Sequence, residues 1–286
     1  MTMFLLGAHF SIAKGLANAL YTARSYGCTA LQIFTKNAST WKERQLKPQE
    51  ITDFAQARRD TGITAVAAHT AYLINLAATE RKKQVLSYQA LKAELLRSSA
   101  LDIPWVVLHP GSHMGAGEAA GIRKIIHHLN ALFSETPDVT TRLLLETTAG
   151  QGSSVGHTFE QLAAILDGIE KPHRTGVCLD TCHVFAAGYD LRTPGAYTRT
   201  IQAFDTIVGC QRLFLIHLND AQKPLGSRVD RHAHIGRGQI GLTGFECIMN
   251  DERLAPIPKI IETPKGSHGS DFDKINLDRL RSLLRI

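Results

Sequence analysis

Residues 176–183 of the chain read GVCLDTCH, an apolar run that ends at Asp180 and is followed three residues later by His183. Similar apolar, β-branched runs recur along the whole sequence, at residues 4–7, 30–34, 64–68, 105–108, 143–145, 176–179, 213–216 and 259–261. The segments between them carry helical spacing, as in Leu16, Ala19, Leu20 and Ala23. Strands that helices bury on both faces read as continuous apolar runs, and eight such units in roughly 250 residues match a closed barrel. The sequence therefore predicts an α/β fold, a single (β/α)8 TIM barrel, with a doubly wound open sheet as the alternative.

The composition is that of an ordinary globular protein, with 44% hydrophobic and 20% charged residues among 286. No low-complexity segment or composition break interrupts the chain, so we expect one domain spanning residues 1–286. The apolar start lacks a basic flank, and no stretch reaches about 18 apolar residues, the length of a membrane span. The five cysteines include no C-x-x-C pair and are odd in number, which fits a reducing compartment. We expect a cytoplasmic protein with no membrane contact.

The balance of charge favours a polyanionic partner. Lysine and arginine number 32 against 26 aspartates and glutamates, an excess of six. A positive field attracts nucleic acid, although many basic proteins bind none and the chain has no long basic run.

Polar side chains stand directly after the apolar runs, where the strands of a barrel would end. They are His9, Thr35 with Lys36, His69, His109, Glu146, Asp180, His217 and Glu262. The carboxyl ends of barrel strands converge on one face, so these side chains would meet. A lone histidine after a strand is more often a hydrogen-bonding residue than a ligand, and short D-x-H or D-x-x-H patterns arise by chance. Their combination on one face predicts a metal site, because buried unpaired carboxylates are costly.

Nine residues make up the predicted ligand set, which includes the D-x-x-H at Asp180 and the D-x-H at Asp230. The set consists of five histidines, two aspartates and two glutamates. Catalytic zinc commonly takes about three protein ligands, so nine suit about three ions. The imidazoles favour zinc over magnesium, while manganese or iron could occupy the more carboxylate-rich part, with Mn²⁺ possible at one site.

Eight segments carry a resemblance to a known family. They are GAHFSIAKGL, IFTKN, AHTAYLINL, LHPGSH, ETTAGQGS, VCLDTCHVFAAGYDLRTP, HLNDAQKPLGSRVDRHAHIGRGQIG and IPKIIETP. In this order, and over essentially the whole chain, they resemble the endonuclease IV family of zinc-dependent abasic-site (AP) endonucleases. The LDTCH and GSRVDRHAHIGRG segments are highly specific. The resemblance implies a TIM barrel with three Zn²⁺ ions, and none of the nine matching ligand positions is substituted.

The resemblance also implies a role for each ligand. His69 and His109 would hold one zinc, Glu146 would bridge to a second on Asp180, His217 and Glu262, and the third would sit on His183, Asp230 and His232. The implied reaction is base-excision repair: hydrolysis of the phosphodiester bond 5′ to an abasic site in duplex DNA, leaving a 3′-hydroxyl. A hydroxide bridging the first two ions would be the nucleophile, with Glu146 and Glu262 as catalytic residues. A monomer is the default state.

Recognition of DNA is predicted from loop residues. Tyr72 and Leu73 resemble family residues that enter the duplex at the lesion, where apolar wedges replace lost stacking. Lys36, Arg228, Arg231 and Arg237 are candidates for phosphate contacts. Packing on the barrel rim and a solvated basic surface are the alternative interpretations of these two groups.

The chain departs from the family pattern at three positions. Ser39 stands where an arginine commonly lies two residues before the tryptophan, here Trp41. Thr147 replaces a common asparagine and Lys14 a common glycine. These departures concern DNA contact and leave the ligand set intact.

Two other functions are compatible with parts of the pattern. A single-metal sugar isomerase or epimerase of the xylose-isomerase-like barrels would need only Glu146, Asp180, His217 and Glu262. A non-catalytic DNA-binding or damage-sensing barrel would need only the basic surface. The other five ligands favour the nuclease over both. The predicted partner is duplex DNA that contains abasic sites or blocked 3′ ends.

Overall fold

The computed structural model describes residues 4–266 and 271–285, and its main element is a closed parallel barrel. The barrel strands, numbered β1 to β8, are Leu6–His9, Ala30–Phe34, Ala65–His69, Trp105–Leu108, Arg142–Glu146, Thr175–Asp180, Leu213–His217 and Lys259–Ile261. Each begins and ends within two residues of a predicted run. The prediction of a TIM barrel is confirmed, and the open sheet is wrong.

Each strand pairs in parallel with its neighbours in chain order, and β1 closes the barrel by pairing with both β2 and β8. Gly7 lies opposite Ala30 on one side and Ile260 on the other. A Cβ atom at position 7 would lie 1.8 Å from the carbonyl oxygen of Ala30. Only glycine therefore allows β1 and β2 to approach this closely.

Helices surround the barrel. In the described ranges they are α1 to α9: Leu16–Ser25, Pro48–Thr61, Arg81–Ala100, Glu118–Glu135, Phe159–Asp167, Thr181–Ala187, Pro194–Ile207, Gly241–Met249 and Phe272–Arg281. Aromatic side chains such as Phe54, Phe133 and Phe204 are buried in the large core cluster. A second, smaller cluster contains residues such as Ala30, Ala65, Val107 and Cys178, which lie on the strands themselves.

Two short antiparallel pairs order the loops at the carboxyl end of the barrel. Gly111–Ser112 pairs with Ser154–Val155, and Asp220–Ala221 pairs with His232–Ala233. The second pair fixes the base of the long loop that follows β7. Among the described residues, no helix has the length and apolar character needed to cross a membrane.

The prediction of a single domain over residues 1–286 stays a prediction. Residues 1–3, 267–270 and 286 lie outside the described ranges, and the remaining residues contribute to one barrel and its surrounding helices.

Candidate metal centre

All nine predicted ligands lie together at the carboxyl end of the barrel, in three adjoining groups. His69 and Glu146 are the last residues of β3 and β5, and His109 follows β4. His69 Nε2 and His109 Nε2 each lie 3.0 Å from Glu146 Oε2. We call this group, His69, His109 and Glu146, cluster 1.

The second group shares Glu146 with the first. His217, at the end of β7, places Nδ1 2.9 Å from Glu146 Oε1 and 3.1 Å from Glu262 Oε2. Asp180 Oδ2 lies 3.8 Å from the same nitrogen. We call Glu146, Asp180, His217 and Glu262 cluster 2. The two oxygens of Glu146 therefore face two different clusters.

The third group depends on a helix cap. Asp180 ends β6 and caps α6, because its Oδ1 accepts a hydrogen bond of 2.9 Å from the backbone N–H of His183. This cap places His183 in the first turn of α6, with Nε2 3.2 Å from Asp230 Oδ2. His232 Nε2 lies 3.3 Å from Asp230 Oδ1. We call His183, Asp230 and His232 cluster 3.

Backbone carbonyls fix the orientation of three of the imidazoles. His69 Nδ1 donates to the carbonyl of Thr70 at 2.8 Å, His183 Nδ1 to that of Thr147 at 2.8 Å, and His232 Nδ1 to that of Glu262 at 3.1 Å. A carbonyl oxygen only accepts, so Nδ1 carries the hydrogen in each ring. In a neutral ring Nε2, the nitrogen that faces the cluster, then has a free lone pair, as metal ligation requires.

Within the clusters, neighbouring charges lower the pKa of a carboxylate and raise the pKa values of imidazoles. Burial opposes ionisation of Glu146, but the imidazoles of His217 and His109 outweigh it and hold the pKa of Glu146 well below its usual value. Burial also opposes protonation of His232, but Asp180 and Asp230 raise the pKa of that ring to about 9. The same balance raises the pKa of His183 well above its usual value. Protons on the imidazoles therefore neutralise the carboxylates when no metal does.

The donor set fits zinc on two further observations. The Nε2 atoms of His183 and His232 are buried and lack hydrogen-bond partners among the described residues, although Asp230 oxygens lie close by without suitable geometry. Contacts of 2.9–3.3 Å join the closest donor atoms within each cluster. Two ligands about 2.0–2.1 Å from a tetrahedral zinc are roughly 3.3 Å apart, so the spacing suits a shared ion.

Two cysteines offer alternative donors beside the clusters. Cys178 lies near Glu146 and His217, and Cys182 lies near Asp180 and His232. Burial raises the pKa of each thiol to about 12. Since the thiolate is the form that binds metals, the histidines and carboxylates are the better donors at neutral pH.

Three further residues contact the ligands, of which His9 was predicted to lie on this face and Gln32 and Asn219 were not predicted from the sequence. Gln32 and His9 contact Glu262, and Asn219 donates to Asp180 Oδ2 at 2.7 Å while accepting from the backbone N–H of Glu262 at 2.8 Å. A lone glutamine within the apolar run ALQIF was a usable signal for Gln32.

The predicted DNA-contact residues divide into exposed and internal ones. Tyr72 is 69% exposed and Leu73 38%, and the Tyr72 ring packs against His69 and Phe34 at centroid distances of 5.7 and 5.6 Å. Tyr72 therefore borders cluster 1, and Leu73 is the next residue of the same exposed loop. The side chains of Arg228, Arg231 and Arg237 are exposed on the loop that follows β7.

The structure places Lys36 differently, since its side chain is buried. Its Nζ donates to the carbonyl of Thr40 at 2.6 Å and lies 3.4 Å from Glu43 Oε1. Arg97, also buried, binds the other Glu43 oxygen at 2.7 Å. These pairs pin the loop after β2, so a phosphate contact by Lys36 would require it to leave both partners.

The three departures from the family pattern have different surroundings. Ser39 and Lys14 are exposed. Thr147 is buried, and its hydroxyl accepts from the backbone N–H of Asp180 at 2.9 Å while its carbonyl accepts from His183. Thr147 therefore supports clusters 2 and 3.

A closed barrel with histidine and carboxylate clusters at its carboxyl end defines a class of TIM-barrel proteins. Residues 20–283 match a family profile described as a xylose isomerase-like TIM barrel. The solved structure of a D-tagatose 3-epimerase-like protein has a TM-score of 0.71 at 17% identity over 97% of this chain and 96% of that one. At this identity the likeness concerns the fold alone.

Closer similarity identifies the family. The chain is 48% identical over 280 residues to a probable endonuclease 4 of Geobacter sulfurreducens, covering 98% of this chain and 94% of that protein. It is 46% identical over 279 residues to a probable endonuclease 4 of Chloroflexus aurantiacus, covering 98% of each. The crystal structure of endonuclease IV from Thermus thermophilus has a TM-score of 0.87 at 35% identity over 98% of each chain. The chain belongs to the endonuclease IV family and is a nuclease, which confirms the resemblance.

Proposed function

We propose that this nuclease hydrolyses the phosphodiester bond 5′ to an abasic site in duplex DNA and leaves a 3′-hydroxyl end, as a step of base-excision repair. One observation carries the proposal: nine donor residues form three adjoining clusters, of which clusters 1 and 2 share Glu146 and cluster 3 lies beside Asp180. The family relationship supports the nuclease activity, and the excess of six basic residues suits a DNA substrate.

We assign one zinc to each cluster, with Mn²⁺ as an alternative in the carboxylate-rich cluster 2. When bound, divalent ions in these clusters would activate water and offset the charge of the phosphate. Glu146 would bridge clusters 1 and 2, since each of its oxygens faces one of them. Glu262, whose Oε2 faces cluster 2, would orient the attacking water.

The DNA surface would surround the metal centre. A cleft of about 270 Å³ lies beside clusters 1 and 3 and is lined by Tyr72, Asn75, His109, Ser112, His183 and Asp230. We propose that the abasic sugar enters this cleft while Tyr72 and Leu73 fill the gap in the stack. Arg228, Arg231 and Arg237 would bind phosphates of the flanking duplex. Lys36 would contribute indirectly, because its contacts with Thr40 and Glu43 hold the loop after β2 in place.

The alternative is a single-metal sugar isomerase using Glu146, Asp180, His217 and Glu262. Clusters 1 and 3 favour the nuclease, because an enzyme with one metal has no use for His69, His109, His183, Asp230 and His232. We also propose a monomer that acts in the cytoplasm, which suits five free cysteines. Duplexes with blocked 3′ ends would be further substrates.

The decisive experiment is incision of a labelled duplex that contains one tetrahydrofuran abasic analogue, with metal analysis of the purified protein. We expect a cut on the 5′ side, its loss in the presence of a chelator, and close to three zinc ions per chain. An undamaged duplex of the same sequence is the control. Absence of incision with a single bound metal would contradict the nuclease and direct attention to sugar substrates.

A further inference from the structure

Gln32 is a polar residue in the middle of β2, within the otherwise apolar sequence ALQIF. Its side chain is completely buried in the barrel and contacts His9, His217 and Glu262. A buried amide is retained at such a position only if its polar atoms are paired. Gln32 has no part in the roles assigned to the ligands above.

The amide of Gln32 fits its surroundings in one orientation only. Glu262 Oε1 lies 2.6 Å from one end of the amide, and an ionised carboxylate only accepts hydrogen bonds, so the NH2 group faces Glu262. The carbonyl oxygen then faces His217 Nε2 at 2.7 Å, which means that Nε2 carries a hydrogen. In the neutral ring the lone pair is therefore on Nδ1, the atom that faces cluster 2.

The same amide also determines which oxygen of Glu262 is available. Its NH2 group occupies Oε1, and His9 Nδ1 lies 3.2 Å from the same oxygen. Oε2 remains directed at cluster 2, 3.1 Å from His217 Nδ1. One side chain thus orients two of the four donors in cluster 2.

We propose that Gln32 is a positioning residue that holds His217 and Glu262 in the form and direction in which they bind the metal of cluster 2. The inference rests on the proposed function, because it requires a metal in that cluster. His217 and Glu262 lie at the ends of β7 and β8, the last two barrel strands in the chain, whereas Gln32 lies on β2. The amide therefore links two ligands to a strand that is close to the beginning of the chain. Partners of this kind commonly contribute about 10- to 100-fold to metal affinity.

The test compares Gln32→Met with the wild-type protein. Methionine has a similar length and no hydrogen-bonding amide, so it removes the orientation with little change in packing. We expect one of the three zinc ions to bind about 10- to 100-fold more weakly in competition with a chromophoric chelator, with the other two unchanged. In the cobalt-substituted protein, the visible absorption bands of one site should shift.

A matched control is Gln161→Met, the same substitution at another buried glutamine. Gln161 lies on α5, and its Oε1 accepts from the backbone N–H of Gly156 at 2.7 Å, with no contact to the three clusters. It should destabilise the metal-free fold without changing zinc affinity. Gln32→Leu is measured in parallel, so that the comparison survives if the methionine variant does not fold.

Two results would overturn the inference. Variants at position 32 that fold and bind all three zinc ions with wild-type affinity would show that the amide serves packing alone. An equal loss of zinc affinity in Gln161→Met would show that the effect at position 32 comes from destabilisation of the fold as a whole. A wild-type protein that binds no zinc would contradict the proposed function itself, and metal analysis of that protein distinguishes this failure from the others.

Discussion

Glu146 connects two clusters because its two oxygens point in different directions. It is completely buried, and His69 and His109 meet one oxygen while His217 meets the other. The sequence predicted that these residues would meet, since the ends of parallel strands converge on one face of a barrel. It did not reveal the supporting contacts of Gln32 and Asn219, because those depend on which strands become neighbours and on side-chain directions.

Glu146→Gln tests the bridge. The amide keeps the shape of the side chain but removes one anionic donor from each of two clusters, so incision should fall by well over 100-fold. Binding to abasic DNA should remain measurable, because the exposed arginines are unchanged. Incision kinetics and a gel-shift titration check the two parts. Glu252→Gln, at an exposed glutamate before β8, is the control. Near-normal incision by Glu146→Gln would contradict the bridging assignment.

Zinc uptake should depend on pH through His232, because its neighbours raise its pKa to about 9 in the metal-free protein. A group whose pKa is raised on folding stabilises the fold while it is protonated. For His232 this stabilisation of the metal-free protein is complete below about pH 6.5, the pKa of histidine in the unfolded chain, and it is lost as the pH rises through about 9. Zinc binds the neutral ring and must displace that proton at lower pH. Zinc affinity should therefore increase as the pH rises towards 9. Calorimetry in two buffers of different ionisation enthalpy measures the released protons, and the absence of proton release would contradict this prediction.

At the scale of elements, the apolar runs predicted the strands well, and the loops were harder. β1 begins two residues later than its predicted run, since Phe4 and Leu5 are apolar but precede the strand. Lys36 was predicted to contact phosphate, yet it forms internal contacts with Thr40 and Glu43. No local sequence pattern predicts the contacts of Lys36 with Thr40 and Glu43, because the sequence does not show how the loop after β2 turns back on itself.

Tyr72→Ala tests the loop that follows β3. The exposed ring rests on Phe34 and His69, so its removal should cost little stability. If it fills the gap at a lesion, binding to abasic duplex should weaken by about 1–3 kcal/mol, and binding to intact duplex should weaken less. Fluorescence anisotropy with both duplexes measures the difference. Tyr21→Ala is the matched control, since Tyr21 on α1 is 45% exposed and bonds to Asp60. An equal loss on both duplexes would indicate a packing role.

At the scale of the whole molecule, the ligands come from six of the eight strands and their following loops. Ions bound there would join elements that are far apart in sequence, from His69 to Glu262. Without metal, the fold relies on protonated imidazoles to neutralise its buried carboxylates. Metal binding and stability are therefore expected to be coupled.

Chelation should lower the melting temperature, Tm. At a free zinc concentration about 1,000 times the Kd of a site, binding at that site adds about 4 kcal/mol to the free energy of unfolding. For a protein of this size this corresponds to a Tm shift on the order of 10 °C. Differential scanning calorimetry before and after chelation measures the shift, and added zinc should restore the original Tm. A Tm that is indifferent to both treatments would show that the clusters bind no structural metal.

The pairing of β1 with both β2 and β8 has a consequence for the order of folding. Gln32 and Glu262, which meet through a hydrogen bond, are separated by 230 positions in the chain. Closing so long a loop is slow and comes after local pairing, so Gln32 reaches Glu262 and His217, and cluster 2 gains its full metal affinity, only when the last strand has joined the first. Cluster 1, drawn from β3 to β5, needs no such closure. During refolding with Co²⁺, the visible absorption bands of cluster 1 should therefore appear before those of cluster 2. The delay between them would measure when the barrel closes.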